Sequence, residues 1–193
     1  MSSLKDYFTN LELSLAVISE TWFHQGEKLD KLLLDAEQGM GLSMILKNRK
    51  KTGRANPGGG VGIVFDKQRV TLKEYPIKRG RFEIVAASGK IKNNSRPLYV
   101  IAVYLSTKLR ASSYHACLSL VSDAILKIKN ESSSPYIILA GDFNRKDIHE
   151  AIGDYVDISV AQAGPTREGA YLDLAATNMN EELTKTFPSM RHK

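Results

Sequence analysis

The chain has 193 residues, 42% hydrophobic and 25% charged, a length and balance suited to one globular domain with a sizeable buried core. It holds no apolar stretch long enough to span a bilayer, and its first residues, MSSLKDYFTN, have neither the basic start nor the long apolar region of a secretory signal. A single cysteine, Cys117, permits no internal disulfide and fits a reducing, intracellular compartment, nucleus or cytoplasm. The formal net charge is +6, and Lys47, Arg49, Lys50, Lys51 and Arg54 supply five positive charges with no acid among them. The excess is therefore local: this loop either neutralises nucleic-acid phosphates or is a solvated surface segment.

In chain order, residues 4–11 predict a short helix, with Leu4, Tyr7, Phe8 and Leu11 on one face. Residues 13–19 then form a β-branched apolar run that ends in the carboxylate of Glu20, followed by Thr21 and Trp22. Residues 27–38 place Leu29, Leu32, Leu33 and Ala36 on one helical stripe, which Gly39 and Gly41 terminate. Residues 41–46 predict a strand entering the basic loop, and residues 56–60, with one proline and three glycines, predict the turn that returns the chain through a strand at 61–65. These glycines are not a dinucleotide-binding loop, because Gly60 and Gly62 open the strand GIVF and no third glycine follows.

Residues 82–88 and 98–105 predict two more strands with a polar turn at 90–97 between them. The second, LYVIAVYL, is apolar on both faces, as expected of a sheet covered on both sides. Residues 112–130 carry the clearest helical period, with Tyr114, Cys117, Leu118, Val121, Ala124, Ile125 and Ile128 on one stripe and Ser112 or Ser113 as cap. Cys117 within that stripe is a core thiol rather than a nucleophile. After these come a strand at 136–142, a short helix at 147–152, a short strand at 157–161 and a last strand at 171–177. Strands alternating with helices and interrupted by hairpin-like pairs predict an α/β (α+β) architecture of mixed sheets in a single domain, 1–193.

The segment YIILAGDFN, residues 136–144, delivers Asp142 to the end of a buried strand beside a permissive glycine and two residues before Asn144. By itself this is either a cation or phosphate site or an ordinary turn start. The run ending in Glu20 has the same shape, so two strands present two acids, enough protein ligands for a Mg2+ ion that keeps water and substrate phosphate as its others. No G-x-x-x-x-G-K-[ST] loop, G-x-S-x-G elbow or H-E-x-x-H pair is present to support a nucleotide, serine-hydrolase or zinc reading.

SETW, GGVGIVF, a strand ending in Tyr104, AGDFN, PTR and LDL occur in that order from Ser19 to Asp173. This series resembles the endonuclease/exonuclease/phosphatase superfamily, and within it the endonuclease domain of non-LTR (LINE-type) retrotransposons. The resemblance implies a two-sheet β-sandwich flanked by helices on both outer faces, and Mg2+-dependent attack of water on a phosphodiester, with Mn2+ as a substitute ion. It implies Glu20 and Asp142 as metal residues, and Asp142, Asn144, Tyr104 and Asp173 as catalytic ones. Asp142 would activate water, Asn144 and Tyr104 would contact the phosphate, and Asp173 would orient a histidine. Lys47, Arg49, Lys50, Lys51, Arg54, Thr166 and Arg167 would face DNA, the implied partner; no membrane is implied and no protein partner is inferable.

Two motifs of the superfamily have no match: an opening strand bearing asparagine and a closing strand bearing Ser-Asp-His. The expectation is thus an incomplete domain without its first and last strands. Two alternatives to a DNA-nicking enzyme stay open, an inactive remnant with weak nucleic-acid binding and a lipid-headgroup phosphatase. If the basic loop neutralises phosphates, replacing Lys50 and Lys51 with glutamine should flatten the salt dependence of log K for DNA by up to about 1.8, roughly 0.9 for each phosphate no longer neutralised. Anisotropy titrations across a salt series measure that slope, and an unchanged one assigns the loop to solvent.

Overall fold

The computed structural model describes residues 8–21, 41–47, 59–144, 159–160 and 173–179. Two sheets carry the architecture. The smaller is built from β1 (Leu15–Ser19), β2 (Leu42–Lys47) and β3 (Val61–Asp66) in the order β1-β3-β2, all antiparallel. The larger holds β4 (Val70–Glu74), β5 (Glu83–Ile91), β6 (Pro97–Tyr104), β7 (Tyr136–Asp142), β8 (Ser159–Val160) and β9 (Asp173–Thr177) in the order β4-β5-β6-β7-β9-β8. Only β6 and β7 run parallel, joined through helix α1 (Ala111–Glu131), while its other pairings are antiparallel.

Side-chain alternation explains the apolar runs. On β6, Ile101 and Val103 point to α1, with Tyr99 packed beside them, while Leu98, Val100, Ala102 and Tyr104 point to the smaller sheet. The stripe of α1 from Tyr114 to Ile128 covers the first face together with Ile84, Ala86, Ile137, Leu139, Leu174 and Ala176. Val61, Ile63 and Phe65 of β3 close the second face. On the far side of the smaller sheet, Phe8 from a helical segment at 8–10 packs with Leu42 and Val64. Mixed α/β with two packed sheets is thus the architecture. Of the covering helices, α1 is described, as is part of the first one; those expected at 27–38 and 147–152 lie outside the described residues. No helix among the described residues is long and apolar enough to cross a membrane.

Cys117 is fully buried on α1, and burial pushes its thiol up to about 12, which makes it inert at neutral pH as its place in the stripe predicts. The cap of α1 differs from expectation. Arg110 is the N-cap and its side chain makes no capping bond, whereas Ser113 is buried and its hydroxyl accepts from Arg81 Nη2. A tertiary partner has taken the hydroxyl that local sequence would assign to the helix end. Also beyond expectation are β4, an edge strand, and the extension of β5 through Gly89 to Ile91, which shortens the polar turn. A Cβ at Gly89 would lie 1.7 Å from the Thr71 carbonyl oxygen, so the glycine there serves close strand pairing rather than a turn.

Candidate active site

One end of the sandwich collects the charged strand termini. The last residues of β1, β2, β6 and β7 and the first of β3, β5 and β9 all lie there, because Ser19 and Lys47 pair with Val61, and Glu83, Tyr104, Asp142 and Asp173 follow one another across the larger sheet. The β7–β9 register that brings Asp173 opposite Asp142 is locked at the other end of the pair. There Asn178 Oδ1 accepts from Ile137 N–H at 2.8 Å, Asn178 Nδ2 donates to the Pro135 carbonyl at 2.8 Å, and Thr177 Oγ1 donates to the Ile137 carbonyl at 2.8 Å. A slip by one residue would carry Leu174 and Ala176 off the helix-facing core.

The two sheets meet at Tyr104, whose hydroxyl donates to Glu20 Oε1 at 2.7 Å. Glu20 sits at φ +52, a left-handed conformation unusual for a residue with a side chain, and so directs its carboxylate off the end of β1. Asn144 repeats the feature at φ +50. Its backbone N–H donates to Asp142 Oδ1 at 2.9 Å and its side-chain Nδ2 to the Leu105 carbonyl at 2.8 Å, while Leu105 N–H donates to the Asp142 carbonyl at 2.9 Å. Phe143, fully buried between the two polar residues, anchors the turn in the core. Gly141 is needed for close approach: a Cβ there would lie 1.9 Å from the Val103 carbonyl oxygen.

Asp142 is a half-buried acid with acidic neighbours. Burial first, then the negative charge of Asp173 and more weakly that of Glu20, push its carboxyl up to about 7, against the opposing bonds from Asn144. Asp142 thus senses both neighbouring acids. Carboxylate oxygens are the hard, anionic donors that suit Mg2+, and a cation bound beside Asp142 would relieve the repulsion from its neighbours. Among the described residues no group of three or more His, Cys, Asp or Glu side chains is placed to hold a metal ion. What the site offers is two carboxylates, Glu20 and Asp142, brought to one end by the Tyr104 bond and the β6–β7 ladder, and Mg2+ is commonly held by one or two carboxylates with water and substrate completing its shell.

Of the residues singled out in the sequence, Glu20, Tyr104, Asp142, Asn144 and Asp173 lie together at this end, and Lys47 stands on the same rim at the close of β2. Asn144 uses an amide hydrogen on Leu105 rather than presenting both outward. Arg49, Lys50, Lys51, Arg54, Thr166 and Arg167 lie outside the described residues, as do His24, His149 and His192. His115 is described, exposed on α1 with its ring edge to Tyr114. Sequence reading missed Glu83, whose carboxylate accepts a hydrogen bond from Gly60 N–H. Its signal is faint, one acid opening an otherwise apolar strand.

No protein-family model and no curated protein matches this sequence. Solved structures do. The human Nocturnin catalytic domain with bound sulfate superposes with a TM-score of 0.65 at 15% identity over 88% of this chain and 71% of that one. Truncated Caenorhabditis elegans TDP2 gives 0.65 at 12% identity over 90% and 74%. The endonuclease domain of TRAS1, a telomere-specific non-LTR retrotransposon, gives 0.60 at 14% identity over 88% and 74%. The chain therefore has the fold of the endonuclease/exonuclease/phosphatase superfamily.

The electrostatics of Asp142 give a signed expectation. Its folded pKa is raised, so from about pH 4 to about 7 the folded state keeps a proton that the unfolded chain has released, and this contribution to stability is lost as pH rises through that window. Asp142→Asn has no proton to lose. In urea unfolding with EDTA, the variant should gain on the native protein between pH 4 and pH 8 by about 2 kcal/mol or more, level above neutrality. A difference independent of pH would mean that Asp142 ionises as an ordinary surface acid.

Proposed function

We propose that this protein is a Mg2+-dependent phosphodiesterase that nicks DNA, with its reaction centre at the Glu20–Tyr104–Asp142–Asn144–Asp173 end of the sandwich. The observation that carries the reading is the convergence of Glu20 from one sheet with Asp142 and Asp173 from the other: Asp142 pairs with Asp173 across the β7–β9 ladder, and Glu20 accepts from Tyr104, which pairs with Asp142 across β6–β7. The superfamily fold supports hydrolysis of a phosphate ester, and its members typically use Mg2+. DNA as substrate is favoured by the likeness to the TRAS1 endonuclease domain and by the basic segment that leaves the site rim at Lys47.

Glu20 and Asp142 would hold the ion. When bound, Mg2+ supplies positive charge to the phosphate oxygens as the transition state forms. The chain's own groups do the rest. Asp142 would take a proton from the attacking water at the carboxylate oxygen that Asn144 N–H does not hold, as the water oxygen bonds to phosphorus, the P–O bond to the leaving group breaks and solvent protonates the departing alkoxide. Tyr104 holds Glu20 in place through its hydroxyl, and Asn144 fixes one Asp142 oxygen through its backbone N–H, so that the other stays available. Asp173, paired with Asp142 across the β7–β9 ladder, would add its negative charge beside the ion.

Supercoiled plasmid converted to the open-circular form in the presence of Mg2+ tests the reading. Conversion should stop with EDTA and fall by about 100-fold or more in Asp142→Asn and in Glu20→Gln. Nicking at the native rate in both variants would move the centre elsewhere. Unchanged DNA binding with no Mg2+-dependent nicking in the native chain would leave nucleic-acid binding as the function.

A further inference from the structure

Glu83 has no part in the chemistry just described, yet it closes a circuit around Glu20. It pairs directly with Tyr104 across the β5–β6 ladder. Tyr104 donates to Glu20 Oε1 at 2.7 Å, and the next residue, Thr21, donates its backbone N–H to the Gly60 carbonyl at 3.4 Å. Gly60 in turn donates its own N–H to Glu83 Oε2. The circuit therefore runs from the larger sheet to the smaller and back, through both peptide groups of Gly60 and the two carboxylates in it, Glu83 and Glu20.

We infer that Glu83 is a positioning residue for Glu20, acting through the Gly60 backbone rather than by touching metal or substrate. Glu20 is held at φ +52, a conformation that persists in a residue with a side chain only where its surroundings over-determine it. Tyr104 restrains its side chain, and the Gly60 carbonyl restrains the peptide that follows it. Gly60 is itself at φ +97, and a Cβ on it would lie 2.2 Å from Thr21 Oγ1, so the Thr21 side chain is seated directly against Gly60. Without a fixed partner for its N–H, the Gly60 peptide at the foot of the basic segment is free to turn, and the hold on Thr21 and Glu20 loosens with it. The half-buried Glu83 carboxylate supplies that partner from a strand anchored in both cores by Ile84 and Val85.

The inference rests on the reading that Glu20 helps hold a divalent ion, and calorimetric titration of Mg2+ alone separates the two. Glu20→Gln should lose most of the Mg2+ affinity; if it binds like the native protein, the metal assignment fails whatever Glu83 does. With that control in place, Glu83→Ala should weaken Mg2+ binding by about 10- to 100-fold, the usual effect of removing a group that orients a metal ligand. Glu83→Asp keeps the charge but cannot reach Gly60, and should match Glu83→Ala. Glu83→Gln keeps an oxygen that can accept from Gly60 N–H and should stay within about twofold of native, a rescue that a charge effect would not give. Circular dichroism at the titration temperature confirms that each variant is folded. Native affinity in Glu83→Asp, or an equal loss in Glu83→Gln and Glu83→Asp, would overturn the assignment.

Discussion

The hydrogen bond from Tyr104 to Glu20 is the contact on which the site depends. The two sheets face each other through an apolar layer from Val61 and Phe65 to Val100 and Ala102, and such contacts hold surfaces together without fixing how one slides over the other. A phenol donating to a carboxylate at 2.7 Å is directional and charge-assisted. It sets the end of β1 against the end of β6, and the ladder from Tyr104 to Asp142 to Asp173 then places every other acid of the cluster relative to Glu20.

Local cost accumulates where this contact is made. Glu20 and Asn144 are both left-handed, Gly141 tolerates no side chain, and Asp142 is buried against like charge. None of these serves the stability of the ligand-free chain. The wide apolar layers on either side of the larger sheet offset them, and a fold assembled from long, doubly covered strands can support several unfavourable groups at one edge.

Much of the frame was legible because burial on both faces leaves a plain pattern. LYVIAVYL and YIILAGD are short apolar runs, rich in β-branched and aromatic residues and bounded by turn residues, and the stripe of α1 repeats over many turns. What escaped is what depends on partners distant in sequence. VTLKE alternates as an edge strand should, yet it is short and lacks flanking turn signals strong enough to mark it. Ser113 reads as a cap until Arg81 is seen to use it. Of the site, Glu20, Asp142 and Asn144 were visible as polar residues at the ends of apolar strands, whereas Tyr104 and Asp173 came only from the resemblance that the ordered motifs carry. Glu83 was not, since its bond to Gly60 spans 23 residues and no local pattern records it. Nor does any glycine announce the left-handed turn at Glu20.

The central claim is that Tyr104 and Glu20 are energetically joined across the two sheets, and a double-mutant cycle measures this directly. Urea unfolding in EDTA of the native chain, Tyr104→Phe, Glu20→Ala and the double variant gives the coupling free of any metal. The account predicts that the two changes are non-additive by about 0.5 kcal/mol or more, with the double variant losing less than the sum. Additive losses, to within about 0.3 kcal/mol, would contradict it and leave the sheet ends unconnected.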